Sequence, residues 1–305
     1  MLKHTTAIAL FLGLTACSSY ISTPFAPPNA FDAAQYCETS NSNTELVIPD
    51  EVLSILAEDN DQALDAEIAD ALLTKAALEV SHAAPSVEAC KTTFQSGDEM
   101  FLNVLNGQQS TLGKRGGFKP SKNADILKVQ TEITRFWRED QSARGAYSGL
   151  QTEDKSGSDF WAQRRATAHA TRIDGESKLY IESLLGTYDW IDIKRFGSSV
   201  SAHAWILVQH ADDHPEFQAD VLARMKPYLE NGGVKPKNYA YLWDRVAVNT
   251  GRKQRYGTQP TWECTDGKME LQPLEDPENV NKRRAAMKMD TVEEALENMA
   301  RGICR

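Results

Sequence analysis

Between Asp61 and Met225 large apolar residues recur at intervals of three and four, and this spacing constrains the fold more than any other feature of the chain. One run carries Leu64, Ile68, Leu72, Ala76 and Leu78 as far as His82, and Pro85 restarts the pattern in Val87, Phe94, Phe101 and Leu105. It returns from Asp125 in Ile126, Val129, Ile133, Phe136 and Trp137. From about Ser158 it passes through Ile173, Leu179 and Ile181 to Leu185, where Gly186 is expected to end the helix. Val200, Ala204, Leu207 and Val208 form a further stripe. Asp213 and Glu216 have capping-box spacing and Pro215 suits a first turn. A helix carrying Phe217, Val221, Leu222 and Met225 is therefore expected, ending before Asn231-Gly232-Gly233.

The texture then changes. Asp244 to Val248 reads as a strand, Asn249-Thr250-Gly251 as a turn, and Lys253 to Gln259 as the returning strand. Thr261 to Cys264, a turn at Thr265-Asp266-Gly267, and Met269 to Leu271 suggest a second hairpin. Asp276-Pro277 and Asp290 each read as a cap of a further helix, the latter with Glu293 in box position. The pattern predicts a mainly α protein with a small antiparallel β-hairpin element, an α+β arrangement without β/α alternation.

The first residues point to an address. Lys3 and His4 precede an apolar run from Thr5 to Leu14, too short for a bilayer, which needs about twenty residues, but suited to a signal peptide. Leu14-Thr15-Ala16-Cys17 is similar to a bacterial lipobox, which makes Cys17 the expected lipidated residue. Ser18 after it favours, by the same resemblance, the outer membrane of a Gram-negative bacterium, with the protein facing the periplasm. The expected organisation is a signal peptide over 1–16, a Ser/Pro/Asn-rich tether over 17–44, helices over 45–106, a Gly-rich basic linker over 107–124, and a domain over 125–305.

Composition narrows the partners. A formal net charge of −10 suits neither nucleic acid nor anionic lipid, so the lipid anchor is the expected membrane contact. In an oxidising compartment the four downstream cysteines allow three pairings; the local solution joins Cys37 to Cys90 and Cys264 to Cys304. No CxxC pair, Gly-rich phosphate loop, G-x-S-x-G elbow or HExxH motif occurs, and no cofactor is expected.

Polar chemistry is concentrated between Gln209 and Gln259. His210 beside Asp212 suits a general base with a carboxylate to orient it, since imidazole titrates near neutrality; the alternative is a buried His bonded to a neighbouring loop. His210 and His214 have HxxxH spacing, but Pro215 forces His214 toward extended backbone, so a metal-free polar pocket is favoured over a metal site. Asp244 is a second candidate carboxylate, and Arg245 beside it could bind a carboxylate or phosphate. On a strand Gln254, Tyr256 and Thr258 would share one face and Gln259 the other, presenting amide, phenol and hydroxyl to a polar ligand or glycan. Gln209 completes the binding set, and Arg144 or Arg165 could reach it from earlier helices.

Several of these pieces, taken in order, resemble one family. They are Gln209-His210-Ala211-Asp212, Asp244-Arg245-Val246, Gly251 with Gln254, Tyr256-Gly257-Thr258-Gln259, Pro273 to Pro277 and Arg283-Arg284. Together they are similar to the bacterial domain-of-unknown-function family 6624 over roughly Asp125 to Arg301, with Asp140-Gln141 and Arg144 as an earlier element. Gly186-Thr187-Tyr188-Asp189-Trp190 departs from the turn the family leads one to expect. The resemblance implies a site and no reaction. Two functions stay open: a hydrolase or transferase acting on a polar molecule with His210 as acid/base, or a non-catalytic module using the same residues for ligand or hairpin.

Overall fold

The computed structural model describes residues 31–39, 45–57, 65–113 and 115–304. Cys17, the signal segment and most of the expected tether lie outside the described residues. The helices are α1 (Asp50–Ile55), α2 (Asp65–Ala83), α3 (Val87–Leu112), α4 (Ala124–Gly149), α5 (Ser158–Tyr188), α6 (Ile193–Phe196), α7 (Ser198–His210), α8 (Pro215–Met225), α9 (Pro236–Asn249), α10 (Val280–Ala286) and α11 (Val292–Ile303). Between α9 and α10 a two-stranded antiparallel sheet pairs β1 (Pro260–Thr265) with β2 (Lys268–Leu271). The mainly α architecture with one small hairpin is therefore as the apolar spacing predicts. Among the described residues no helix is long and apolar enough to cross a membrane.

Helix α5, about 46 Å long at 1.5 Å per residue, is the spine. Helices α2, α3 and α4 all pack along it, and α7 packs on α4 and α5. Two apolar clusters result. Phe94, Trp161 and Phe160 join α2 and α3 to the start of α5 beside the Cys37–Cys90 bridge. Ile133, Phe136, Ile181, Leu207, Val221 and Leu242 join α4, α5, α7, α8 and α9. Gly175 lets α2 approach α5, because a Cβ there would collide with the Asp65 carboxylate. The second expected bridge, Cys264–Cys304, ties α11 to β1.

Several local expectations are corrected. Gly186 does not stop α5, which runs to Tyr188 and reverses at Asp189, where φ is 61°. Helix α8 starts from His214 and no side chain caps it, so Asp213 is not a cap. The capping box of α11 is Thr291 with Glu294, one residue beyond the expected pair. The basic loop is shorter than 107–124, because α3 continues to Leu112. The largest change falls on 244–259. Asp244 to Val248 is not a strand but the last turns of α9, since Leu242 and Val246, four apart, both enter the core. Nor is 253–259 a strand; its one ladder contact is the isolated bridge of Gln254 with Leu274.

Candidate functional site

Helices α4 and α7 lie side by side and run the same way. Gln130 Nε2 donates to the Phe196 carbonyl at 2.9 Å, Thr134 Oγ1 and His203 Nδ1 are 3.3 Å apart, and Asp140 Oδ1 lies 2.7 Å from His210 Nδ1. Each step up α4 thus meets a step along α6 and then α7. His210 is the last residue of its helix, held against the middle of α4.

Two polar groups converge on Nδ1 of His210. Asp140 is 1% exposed and held below the ordinary carboxylate range: burial pushes it up, but His210, Arg144 and the Gln141 amide outweigh that. Arg144 Nε lies 2.9 Å from the same Oδ1 and 2.8 Å from His210 Nδ1. Nδ1 meets two opposed partners: the Asp140 carboxylate, which calls for a proton there, and the Arg144 Nε–H, which is shared between Asp140 Oδ1 and Nδ1 and calls for a lone pair. Nε2 has no hydrogen bond to a described residue and is the basic nitrogen in the tautomer with the proton on Nδ1. The side chain keeps 22% of its surface.

Asp174, from the middle of α5, completes the cluster. Arg144 Nη2 donates to its two oxygens at 2.8 and 2.7 Å. Burial holds Asp174 well above the usual carboxylate range; Arg144 opposes this, and the nearby Asp140 and Asp65 carboxylates add to it. One carboxyl of the pair is thus pushed down and the other up, the condition that separates a fixed anion from a proton donor. Asp65 of α2 closes the lower edge, its Oδ2 3.1 Å from His214 Nε2.

Asp140, Asp174 and His210 each offer a ligand atom within 4.8 Å of the others, a spacing a divalent ion could use. Arg144 binds both of those carboxylates, so its guanidinium already supplies the positive charge, and an ion would have to displace it.

Of the residues singled out from the sequence, His210 and Arg144 meet here, and Arg165 does not, pairing instead with Asp98 beside Trp161. Asp212 does not orient His210; it accepts from Arg245 Nη1 at 2.5 Å and from Asn249 Nδ2 at 3.1 Å, locking the turn after α7 to α9. Asp244 is fully buried. Its oxygens accept from the backbone N–H groups of Arg255, Tyr256 and Thr258 at 2.7–3.1 Å and from Thr258 Oγ1 at 3.0 Å. Gln254, also fully buried, donates to the carbonyls of Gln259 and Gln272 and accepts from Gln259 N–H. Arg284 donates to the carbonyls of Tyr256, Gly257 and Asp290. Asp244, Gln254, Tyr256, Thr258 and Gln259 therefore form a buried polar knot and not the ligand-reading strand face expected of them. Asp174 and Asp65 escaped the sequence reading. The available signal for Asp174 was an acid directly after the core residue Ile173 and before Gly175, on a helix where two elements could meet closely.

Fold and site together define an α-helical bundle with an Asp–His–Arg–Asp cluster at the junction of three helices. Residues 139–302 match the family model described as a family of unknown function, DUF6624, and the chain belongs to that family. No curated protein and no solved structure matches it.

Proposed function

We propose that the protein is an acid/base enzyme, a hydrolase or transferase of polar molecules, held by a lipid on Cys17 at the periplasmic face of the outer membrane. The observation that carries the reading is the His210 pair: buried Asp140 lies 2.7 Å from Nδ1, and in this reading it holds the proton there and leaves Nε2 as the base. Nε2 takes a proton from water or from an acceptor hydroxyl, and the imidazolium that forms is stabilised by Asp140. The imidazolium then returns that proton to the leaving group, while Asp174 anchors Arg144 beside it. Arg144 holds the two carboxyls in place.

The test starts from purified protein and chromogenic phosphoester, acyl-ester and glycoside substrates. For the substrate that is turned over, His210→Gln is expected to lower kcat by about 10²–10⁴-fold, and Asp140→Asn to follow it while KM changes little. A His210→Gln enzyme as fast as the wild type would sink the proposal. If none of the three classes is turned over, the reading passes to the second function below.

The second reading is a binding module without turnover. The buried knot around Asp244 favours it, because it gives most of the family-like residues a structural task.

A further inference from the structure

From the geometry beside this cluster we infer an oxyanion-binding surface, formed by Trp137 and Arg138 of α4, Gln209 of α7 and Arg245 of α9. The surface takes a carboxylate or phosphate group of a small molecule.

Four buried donor atoms carry the argument. Trp137 Nε1, Arg138 Nε, Gln209 Nε2 and Arg245 Nε are all shielded from solvent and have no acceptor among the described residues. Buried donors are nearly always bonded, because leaving one unmade forfeits its hydration with nothing in return. Such an atom can be an accident of packing, as at Trp190 Nε1 in the apolar core; the four on α4, α7 and α9 stand on three adjoining helices. All are donors, so what satisfies them must be rich in acceptors.

Their placement follows from the helix contacts. The Trp137 ring stacks on His203 with centroids 4.2 Å apart and 11° between planes, which sets Trp137 on α7. Arg138 lies close enough to His203 to help lower it to about 4, burial being the larger cause. On α4, Arg138 falls on the flank opposite Val129 and Phe136, and both of those are in the core. On α7, Gln209 falls on the flank opposite Ala204, Leu207 and Val208, likewise core residues. The two flanks are thus on the same side of the α4–α7 pair, away from the core. Helix α9 borders α7 there: Trp205 Nε1 donates to the Asn238 carbonyl at 2.8 Å, and Arg245 reaches Asp212.

Charge agrees with this. Arg245 is paired with Asp212 through Nη1 alone, whereas Arg138 has no ion pair among the described residues, only a long contact from Nη2 to the Arg115 carbonyl at 3.4 Å. Both arginines keep part of the side chain exposed, so the outer nitrogens are reachable. A partly buried guanidinium without a carboxylate, beside indole and amide donors, suits a planar or tetrahedral oxyanion. Gln209 and His210 share the last turn of α7, which puts the surface beside the cluster; that a molecule held here reaches Nε2 rests on the proposed acid/base function.

Calorimetric titration of the intact protein at low salt tests the surface, with inorganic phosphate and acetate as separate probes. Saturable binding of at least one is expected, and the preferred probe distinguishes a phosphate-bearing from a carboxylate-bearing ligand. Arg138→Gln and Gln209→Leu should each weaken it by about ten- to hundredfold, while Arg224→Gln on the far side of α8 leaves it unchanged. Thermal melts check that each variant is folded. Binding of neither probe, or binding that survives Arg138→Gln with Arg245→Gln, would overturn the inference. Because binding is read without turnover, His210→Gln should still bind, so failure of the acid/base reading and failure of this one are separable.

Discussion

The knot around Asp244 and the cluster around His210 are built from the same residue types and do opposite things with them. In the knot every oxygen of Asp244 is occupied by a backbone N–H or a hydroxyl of the chain that follows α9. In the cluster, Asp140 spends its oxygens on His210, Arg144 and Gln141, and the imidazole keeps one nitrogen uncommitted. The first closes a loop. The second leaves one ring nitrogen without a partner among the described residues. A dense polar motif therefore does not identify a site; what identifies it is whether, once all partners are counted, some capacity is left over.

The sharpest way to break this comparison is Asp244→Ala, which orphans the buried backbone donors of Tyr256 and Thr258 and the partly buried one of Arg255 at once. It is expected to cost about 3 kcal/mol or more in urea unfolding; an unchanged midpoint would remove the distinction. Gln254→Ala should cost about 2 kcal/mol, since two carbonyls and one N–H lose their partner. His210→Gln should cost under about 1 kcal/mol, because residues placed for chemistry commonly contribute little to stability. A larger loss would make His210 part of the architecture. The smallest effect is one of pH. The bond to Asp65 raises His214 above its ordinary value, with burial opposing. Its folded pKa thus exceeds the unfolded one, and the stabilisation is complete below about pH 6.5 and fades as pH climbs through the raised value. The Tm gap between wild type and His214→Asn should therefore be widest near pH 6 and narrow toward alkaline pH. A gap that widened instead would mean that the Asp65 contact does not need the charge.

Much of this was legible in the sequence because helical periodicity is local. Val129, Ile133 and Phe136 announce α4 without reference to any other segment, and Asp266-Gly267 announces its hairpin in the same way. The stretch Asp244 to Val248 misled because alternation of Val with small residues suits a strand, while the frame that makes it a helix begins at Pro236 and is read only with Leu242 and Val246 in the core. The site was half legible. His210, Arg144 and Asp140 stood in recognisable elements, but Asp174 and Asp65 enter from helices more than thirty residues away, and no local pattern records that. The local cysteine pairing was right for both bridges.

The contact of Asp65 with Gly175 and His214 bears on how this protein can be divided or recombined. Asp65 stands on α2, whereas the family match begins at residue 139, in the middle of α4. An expression fragment trimmed to the matched residues would discard Asp65, Trp137 and Arg138, cut α4 in two, and strip the covering from Phe160 and Trp161 at the head of α5. Such a fragment is expected to precipitate, and grafting it onto another protein's amino-terminal half should work only where that half brings an acid to the notch at Gly175. For this chain the packed unit is larger than the matched one.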